Sequence, residues 1–471
     1  MKISERLAET IHTTVTCIPP CERPSDGQAL SSRKLFVPPT DASLDAWSTL
    51  GNDGWNSDTF KEYYSKAFTL PKVDQSSRKV LGIDGYSLYN TPNGPHQLSY
   101  AGNPEHPVLE AWMTTFKNKG YHVSNDPFLG IPVGAFTSLS SVDPARKERS
   151  YATSAYYSLV KYRTNLEVLT NATVEKILFK DGHCTQAIGV QYRHGDNVKV
   201  VAASKEVILA AGVLQSPKLL ELSGIGNKSI LRSNSIETVQ DLPCVGENLY
   251  DHPVCSISYE MVEGVETLDS DYTVGKTSLL ISMGVDTYAY LPMPSAAYLS
   301  VLRQHPLPID PNSDSPSGPI HGNFIALVAT LSQPLSRGSV HITSNDPLAA
   351  PTIDPNYFSS EIGIEVYVRQ MLYLDTIAKS SPFSKLLKQP LIPKKYLRTS
   401  AISMWHMGGT CAMLPEEKGG VVNPKLKVYG VDNLRIVDAS AIPLISTANL
   451  QSTVYAFAEK AADLIKQDCR L

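Results

Sequence analysis

Apolar positions along this 471-residue chain change period several times, and each change predicts an element. In "HPVLEAWMTTFKNKGY" (106–121), Val108, Leu109, Trp112 and Phe116 fall on one helical face, and Gly120 is placed to end the helix. "SLDAWSTLGNDGWNSDTFKEYYSKAF" (43–68) reads as helix, turn, helix, with Gly51, Asn52, Asp53 and Gly54 supplying the turn. Further helices are predicted over 150–163, 362–380 and 449–468. From 166 to 212 the chain alternates strands with tight turns at Asp181-Gly182 and Gly195-Asp196. "FIALVATL" (324–331) and "GSVHIT" (338–343) are two more strands, and the Pro-, Ser- and Asp-rich 303–318 is a loop or linker. At the start, "ERLAET" (5–10) reads as the end of a helix and "TTVTCI" (13–18) as a strand, together the latter part of a βαβ unit. No βα rhythm is sustained, which predicts an α+β fold with a mixed sheet beside a mainly parallel one.

Composition narrows the function classes. The length exceeds one typical core, so two domains, interleaved in sequence, are expected. A net charge of −4 without any Lys/Arg block argues against nucleic acid as a partner. No apolar run reaches the roughly 18 residues of a membrane span, and the N-terminus has no apolar leader core. The expectation is an intracellular protein acting on a small molecule, with no membrane partner; nothing sets its oligomeric state. Seven scattered cysteines form no paired CxxC hooks, so neither a metal site nor a disulfide scaffold is implied.

Four stretches carry candidate chemistry. In "AGVLQSPKLLELSGIG" (211–226) a strand ends at Gly212 and hands the chain to a helix, whose N-terminal N–H groups suit an anion. "DLPCVGENLYDHP" (241–253) is a loop with a lone thiol at Cys244 and a histidine, His252, whose simplest role is loop hydrogen bonding. "LSRGSVHITSNDPLAAPTIDPNY" (335–357) takes an architectural role only from the resemblance named below. "SMWHMGGTCAM" (403–413) and "DNLRIVDASAIPLISTANLQSTVYAFAEKAADLI" (432–465) place His406 and Asn449 in two marked contexts. Taken singly, a His after Trp is an ordinary structural histidine, and an Asn at a helix start is an N-cap.

Together these stretches resemble the glucose–methanol–choline (GMC) flavoprotein oxidoreductases, over about residues 43–471. The resemblance implies an α+β, two-domain architecture: a Rossmann-like FAD-binding domain and a substrate domain whose antiparallel sheet is flanked by helices. The expected division gives 1–42, 164–260 and 400–471 to the FAD-binding part, and 43–163 and 261–399 to the substrate part. It implies an alcohol oxidase or dehydrogenase in which His406 takes the hydroxyl proton, Asn449 steadies the oxygen, and hydride passes to FAD. Val174, Gly212, Asp438 and Ala439 match the family's cofactor contacts. Family style further suggests fungal specialised metabolism, and the apolar, Tyr-rich 278–302 is compatible with an apolar or aromatic substrate as well as with plain helix packing.

The pattern departs from the family where the nucleotide is gripped. No G-x-G-x-x-G joins a first strand to a first helix, and "TTVTCIPP" ends in Pro19 and Pro20 where the family has a ribose-binding acid. The family's Gly-Gly-Ser-Ser loop is reduced to Ser31 and Ser32. The FAD-binding domain is thus incomplete in these residues, and the parallel sheet is expected to carry an unpaired edge. Two alternatives stay open beside flavin-dependent oxidation. One is a flavin-independent acid–base enzyme (isomerisation, dehydration or cyclisation) using the same His406 and Asn449; the other is a non-catalytic relative.

Overall fold

Val207, Ile208 and Leu209 are all buried, as three successive apolar residues must be when a parallel strand is covered on both faces. This strand, Val207–Leu209, is the middle of a three-stranded parallel sheet, between Thr13–Val15 and Leu434–Ile436. The computed structural model describes residues 13–15, 35–72, 94–100, 106–121, 123, 134–146, 148–180, 185–265, 287–290, 324–390 and 401–469. The expected strand at 13–18 is therefore seen as Thr13–Val15, and the helix end at 5–10 lies outside the described residues. Thr13 lies opposite Val207 and Val15 opposite Leu209, so among the described residues the sheet's edges are the outer sides of Thr13–Val15 and Leu434–Ile436.

Two apolar cores follow. One gathers Val207, Leu209 and Ile436 with Trp47, Trp55 and Phe60 and with Phe457. Helices Asp41–Thr49 and Ser57–Ala67 enter it, as does the C-terminal helix Leu450–Asp468. The other gathers Phe116, Tyr259, Leu327, Tyr367, Ile377 and Phe383. Here the strand Pro253–Met261 pairs antiparallel with Phe324–Thr330, and helix Glu361–Ala378 packs on it. Arg435, 1 % exposed on the parallel sheet, donates to Glu206 Oε2 at 2.7 Å, Asp468 Oδ2 at 2.6 Å and the Lys425 carbonyl at 2.6 Å. A buried guanidinium is tolerated only when its donors are met, and here they lock the end of the last helix to the sheet.

The predicted alternation over 166–212 forms the antiparallel strands Ala172–Phe179, Ala187–His194 and Asn197–Ala202. His194 pairs with Asn197 across the Gly195-Asp196 turn, where Gly195 has φ +62°. The Asp181-Gly182 turn and the 303–318 linker lie outside the described residues, as does 278–302 apart from the strand Thr287–Tyr290. The continuous helix expected over 150–163 is instead a π-wound turn, Thr153–Tyr157, followed by the short Ser158–Val160. Ser154 caps its start: its hydroxyl accepts the Tyr151 N–H at 3.0 Å and donates to the Tyr151 carbonyl, which also keeps the Ala155 N–H at 2.8 Å. No described helix is long and apolar enough to cross a membrane.

Helix Gly212–Leu222 carries Pro217 in its interior. Proline cannot donate to the carbonyl four residues back, which is that of Val213. Thr410 supplies the missing donor, its buried hydroxyl reaching the Val213 oxygen at 2.6 Å. The proline of one motif and the threonine of another are thus a matched pair, and they fix this helix against the loop that carries His406. Thr410→Val keeps the shape and leaves the carbonyl unmet, so urea denaturation should show a loss of about 1–3 kcal/mol. Pro217→Ala restores the N–H, so the same Thr410→Val change in that background should cost measurably less.

Candidate active site

Tyr250 and Gly408 exchange backbone hydrogen bonds, 3.1 Å and 3.0 Å, which brings the 241–253 loop against the 403–413 loop. Any Cβ at Gly408 or Gly409 would run into the Tyr250 ring, which is why two glycines follow the histidine motif. Just before them Trp405 sits at φ +56°, a backbone region that a bulky side chain seldom occupies. That turn throws Trp405 outward, 57 % exposed, and drives His406 inward, 8 % exposed. Beyond the glycines, Gly409, Cys411 and Met413 donate their N–H groups to the carbonyls of Ala439, Ser440 and Ala441.

The Asp251 carboxylate organises the turn. Oδ1 accepts the backbone N–H of His252 at 2.8 Å and of His406 at 2.9 Å. Oδ2 accepts the hydroxyls of Tyr357 and Ser403, and Ser403 in turn takes the Trp405 N–H at 2.8 Å. At 3 % exposure, such a carboxylate is held by its donors rather than by water.

The side chains then form one chain of hydrogen bonds. His252 Nε2 lies 2.9 Å from the Ser332 carbonyl, His252 Nδ1 lies 2.8 Å from His406 Nδ1, and His406 Nε2 lies 3.2 Å from Asn449 Nδ2. A carbonyl only accepts, so His252 carries its proton on Nε2. Its bare Nδ1 accepts from His406 Nδ1–H, which leaves the His406 Nε2 lone pair facing the Asn449 amide. Both rings are neutral, because burial first of all holds them down: His252 to about 4, and His406 well below the usual range with the neighbouring His252 adding to the effect.

Asn449 occupies the N-cap position of helix Leu450–Asp468 but makes no capping bond with its side chain. The capping role open to it in the sequence is not the one it takes. Its Nδ2 turns to His406, and its Oδ1 is buried without a partner among the described residues. Giving up a cap and leaving an acceptor orphaned both cost stability, so the geometry marks a place where an incoming donor would be met.

The expected cofactor contacts come together in part. Gly212, at φ +83°, donates its N–H to Asp438 Oδ2 at 3.0 Å, and Ser216 donates to the same oxygen at 2.5 Å. Asp438 Oδ1 caps the turn Ala439–Ala441 by accepting the Ser440 N–H. The Gly212 amide is therefore already engaged, although the sequence reading left it free for an anion. Val174 lies on strand Ala172–Phe179, which packs on helix Gly212–Leu222 through the Ile177 N–H to Ser223 Oγ. Among the described residues, a Cβ added at Gly212 would meet nothing within 4 Å, and the Asn449 acceptor is unmet. Open space at the first and an orphaned atom at the second are what a bound group would fill, so the residues present fit FAD at these two places.

Sequence reasoning gave His252 a loop hydrogen-bonding role, which it has, but not its partner His406. Its contact with His406 spans 154 positions, and a His after Asp in a loop gives no spacing signal for that. Cys244 is half-buried, and burial and Glu247 push its thiol up, away from the reactive thiolate.

Residues 34–254 and 334–458 match two family models, both described as GMC oxidoreductase. Among curated proteins, the GMC oxidoreductase family protein Mala s 12 of Malassezia sympodialis is 32% identical, covering 93% of this chain and 78% of that protein. An oxygen-dependent choline dehydrogenase of Acinetobacter baumannii is 28% identical, covering 93% and 81%. Among solved structures, an FAD-dependent oxidoreductase from Chaetomium thermophilum superposes with a TM-score of 0.82 at 28% identity, covering 94% of this chain and 85% of its own. A fungal aryl-alcohol oxidase shares the fold, with a TM-score of 0.76 at 23% identity and coverage of 94% and 85%. The chain belongs to the GMC oxidoreductase family.

Proposed function

We propose that this oxidoreductase oxidises an alcohol group on a small organic substrate, with His406 as the base. The observation that carries the reading is the bare His406 Nε2 beside the Asn449 amide in a buried site. A substrate hydroxyl entering between them would donate to Nε2, and the Asn449 N–H now resting on Nε2 would turn to the substrate oxygen. Proton removal and charge stabilisation would then act on one atom at once. The relative named for choline supports an alcohol as the reacting group. FAD, when bound, supplies the acceptor for the hydride that leaves the carbinol carbon. Gly212, Asp438, Ala439 and Val174 are the residues proposed to hold it, and burial of His406 and Asn449 keeps water off the reacting groups. A role in specialised metabolism fits the fungal relative but is not needed for the chemistry.

A second reading rests on the absence of G-x-G-x-x-G from these residues and on the Asp438 carboxylate already holding the Gly212 amide. It keeps His406 and Asn449 as an acid–base pair without flavin. The visible spectrum of the purified chain separates the two. Stoichiometric flavin absorbance is expected, and a colourless protein that FAD cannot reconstitute, yet whose turnover needs His406, would replace the first reading with the second.

Removal of the base should be severe. His406→Ala is expected to lower alcohol-dependent dye reduction about 100- to 10,000-fold, and Asn449→Ala about 100-fold, each with unchanged circular dichroism. Wild-type rates in His406→Ala would overturn the assignment.

A further inference from the structure

We propose that His252 is a positioning residue for His406: it holds the one ring tautomer that leaves Nε2 bare, and it receives the displaced proton when Nε2 is filled. The first half stands on geometry alone, and the second rests on the alcohol oxidation proposed above.

The direction of the hydrogen-bond chain is set at its far end. The Ser332 carbonyl demands a donor from His252 Nε2 at 2.9 Å, and the next link, at 2.8 Å between the two Nδ1 atoms, can then run only from His406 to His252. In the resting site the Asn449 N–H on Nε2 favours the same tautomer, but once that amide turns to a substrate oxygen the contact with His252 is what keeps the His406 proton on Nδ1, and a proton on Nε2 would abolish the base. The two rings stand nearly perpendicular, at 79°, with centroids 5.1 Å apart, so the link is an in-plane lone pair meeting an N–H rather than a stacking contact. His252 is 1 % exposed and Asp251 holds its backbone, so the ring has little freedom to turn away.

The proton balance is closed. The substrate O–H bond breaks and its proton goes to His406 Nε2. The His406 Nδ1–H then passes to His252 Nδ1, and His252 Nε2–H stays on Ser332. The positive charge comes to rest on His252. The groups facing that ring are the Asp251 carboxylate, His406, and the backbone acceptors of Ser332 and Ser446; burial disfavours charge on His252 as it does on His406, but the carboxylate and both backbone acceptors partly offset it there. His406 itself faces burial and His252, which both disfavour charge on it.

Nitrogen NMR of the histidine-labelled chain reads the tautomer directly, with or without flavin, and His406→Gln assigns the signals. His406 is expected to carry its proton on Nδ1. In His252→Leu turnover should fall about 10- to 100-fold, and with Asn449→Ala added, so that no donor rests on Nε2, the Nδ1–H preference should be lost. In His252→Asn, whose side-chain oxygen can take the place of Nδ1, the Nδ1–H tautomer should be kept, with turnover within a few-fold of wild type. An Nε2–H tautomer in the wild type, an Nδ1–H tautomer that persists in His252→Leu/Asn449→Ala, or wild-type turnover in His252→Leu would overturn the proposal. A wild type with the expected tautomer but no alcohol turnover would instead sink the proposed reaction and, with it, the proton transfer to His252.

Discussion

One buried carboxylate sets the conditions for the whole site. Asp251 gathers two backbone N–H groups and two hydroxyls, from His252, His406, Tyr357 and Ser403. These come from three separate stretches of sequence, so the carboxylate acts as a local cross-link between the 241–253 loop, the 335–357 segment and the 403–413 loop. Because a buried anion is tolerated only when its acceptors are filled, the four donors and the carboxylate depend on one another. The strained Trp405 backbone is held in place by this arrangement through Ser403.

The site is tied to the cofactor side by equally specific pairings. Thr410 completes the helix that Pro217 interrupts, and Asp438 gathers Gly212, Ser216 and Ser440. The segment Ala439–Ala441 is laced to the loop beyond His406 through its carbonyls. Each motif therefore supplies the atom that another lacks. That interdependence explains why they occur as a set better than any single motif does.

How much was legible in the sequence depended on the range of the forces involved. Helices with one clear apolar face, such as Pro107–Asn118 and Leu450–Asp468, were readable because their burial follows local periodicity. The π-turn at Thr153–Tyr157 was not, since the apolar pattern does not distinguish π from α winding. His406 and Asn449 were found through their contexts. Asn449 could still have been an ordinary cap until its side chain was seen to turn away from the helix. His252 was read as a loop hydrogen-bonder, but its partner was not legible because the contact joins distant loops. The pairing of Thr13–Val15 with Val207–Leu209 was likewise invisible, because strand order is a property of the assembled sheet.

The account stands on His406 being a neutral base, and the pH dependence of flavin reduction by excess alcohol tests that most directly. Burial, and then the neighbouring His252, hold the His406 ring well below its usual 6.5, so it stays neutral above that lowered value and loses its function as pH falls through it. The rate in the flavin-loaded wild-type protein should be level from about pH 8 down past the ordinary histidine value and fall only in more acid solution. A rate that halves at or above the ordinary histidine pKa would contradict the account.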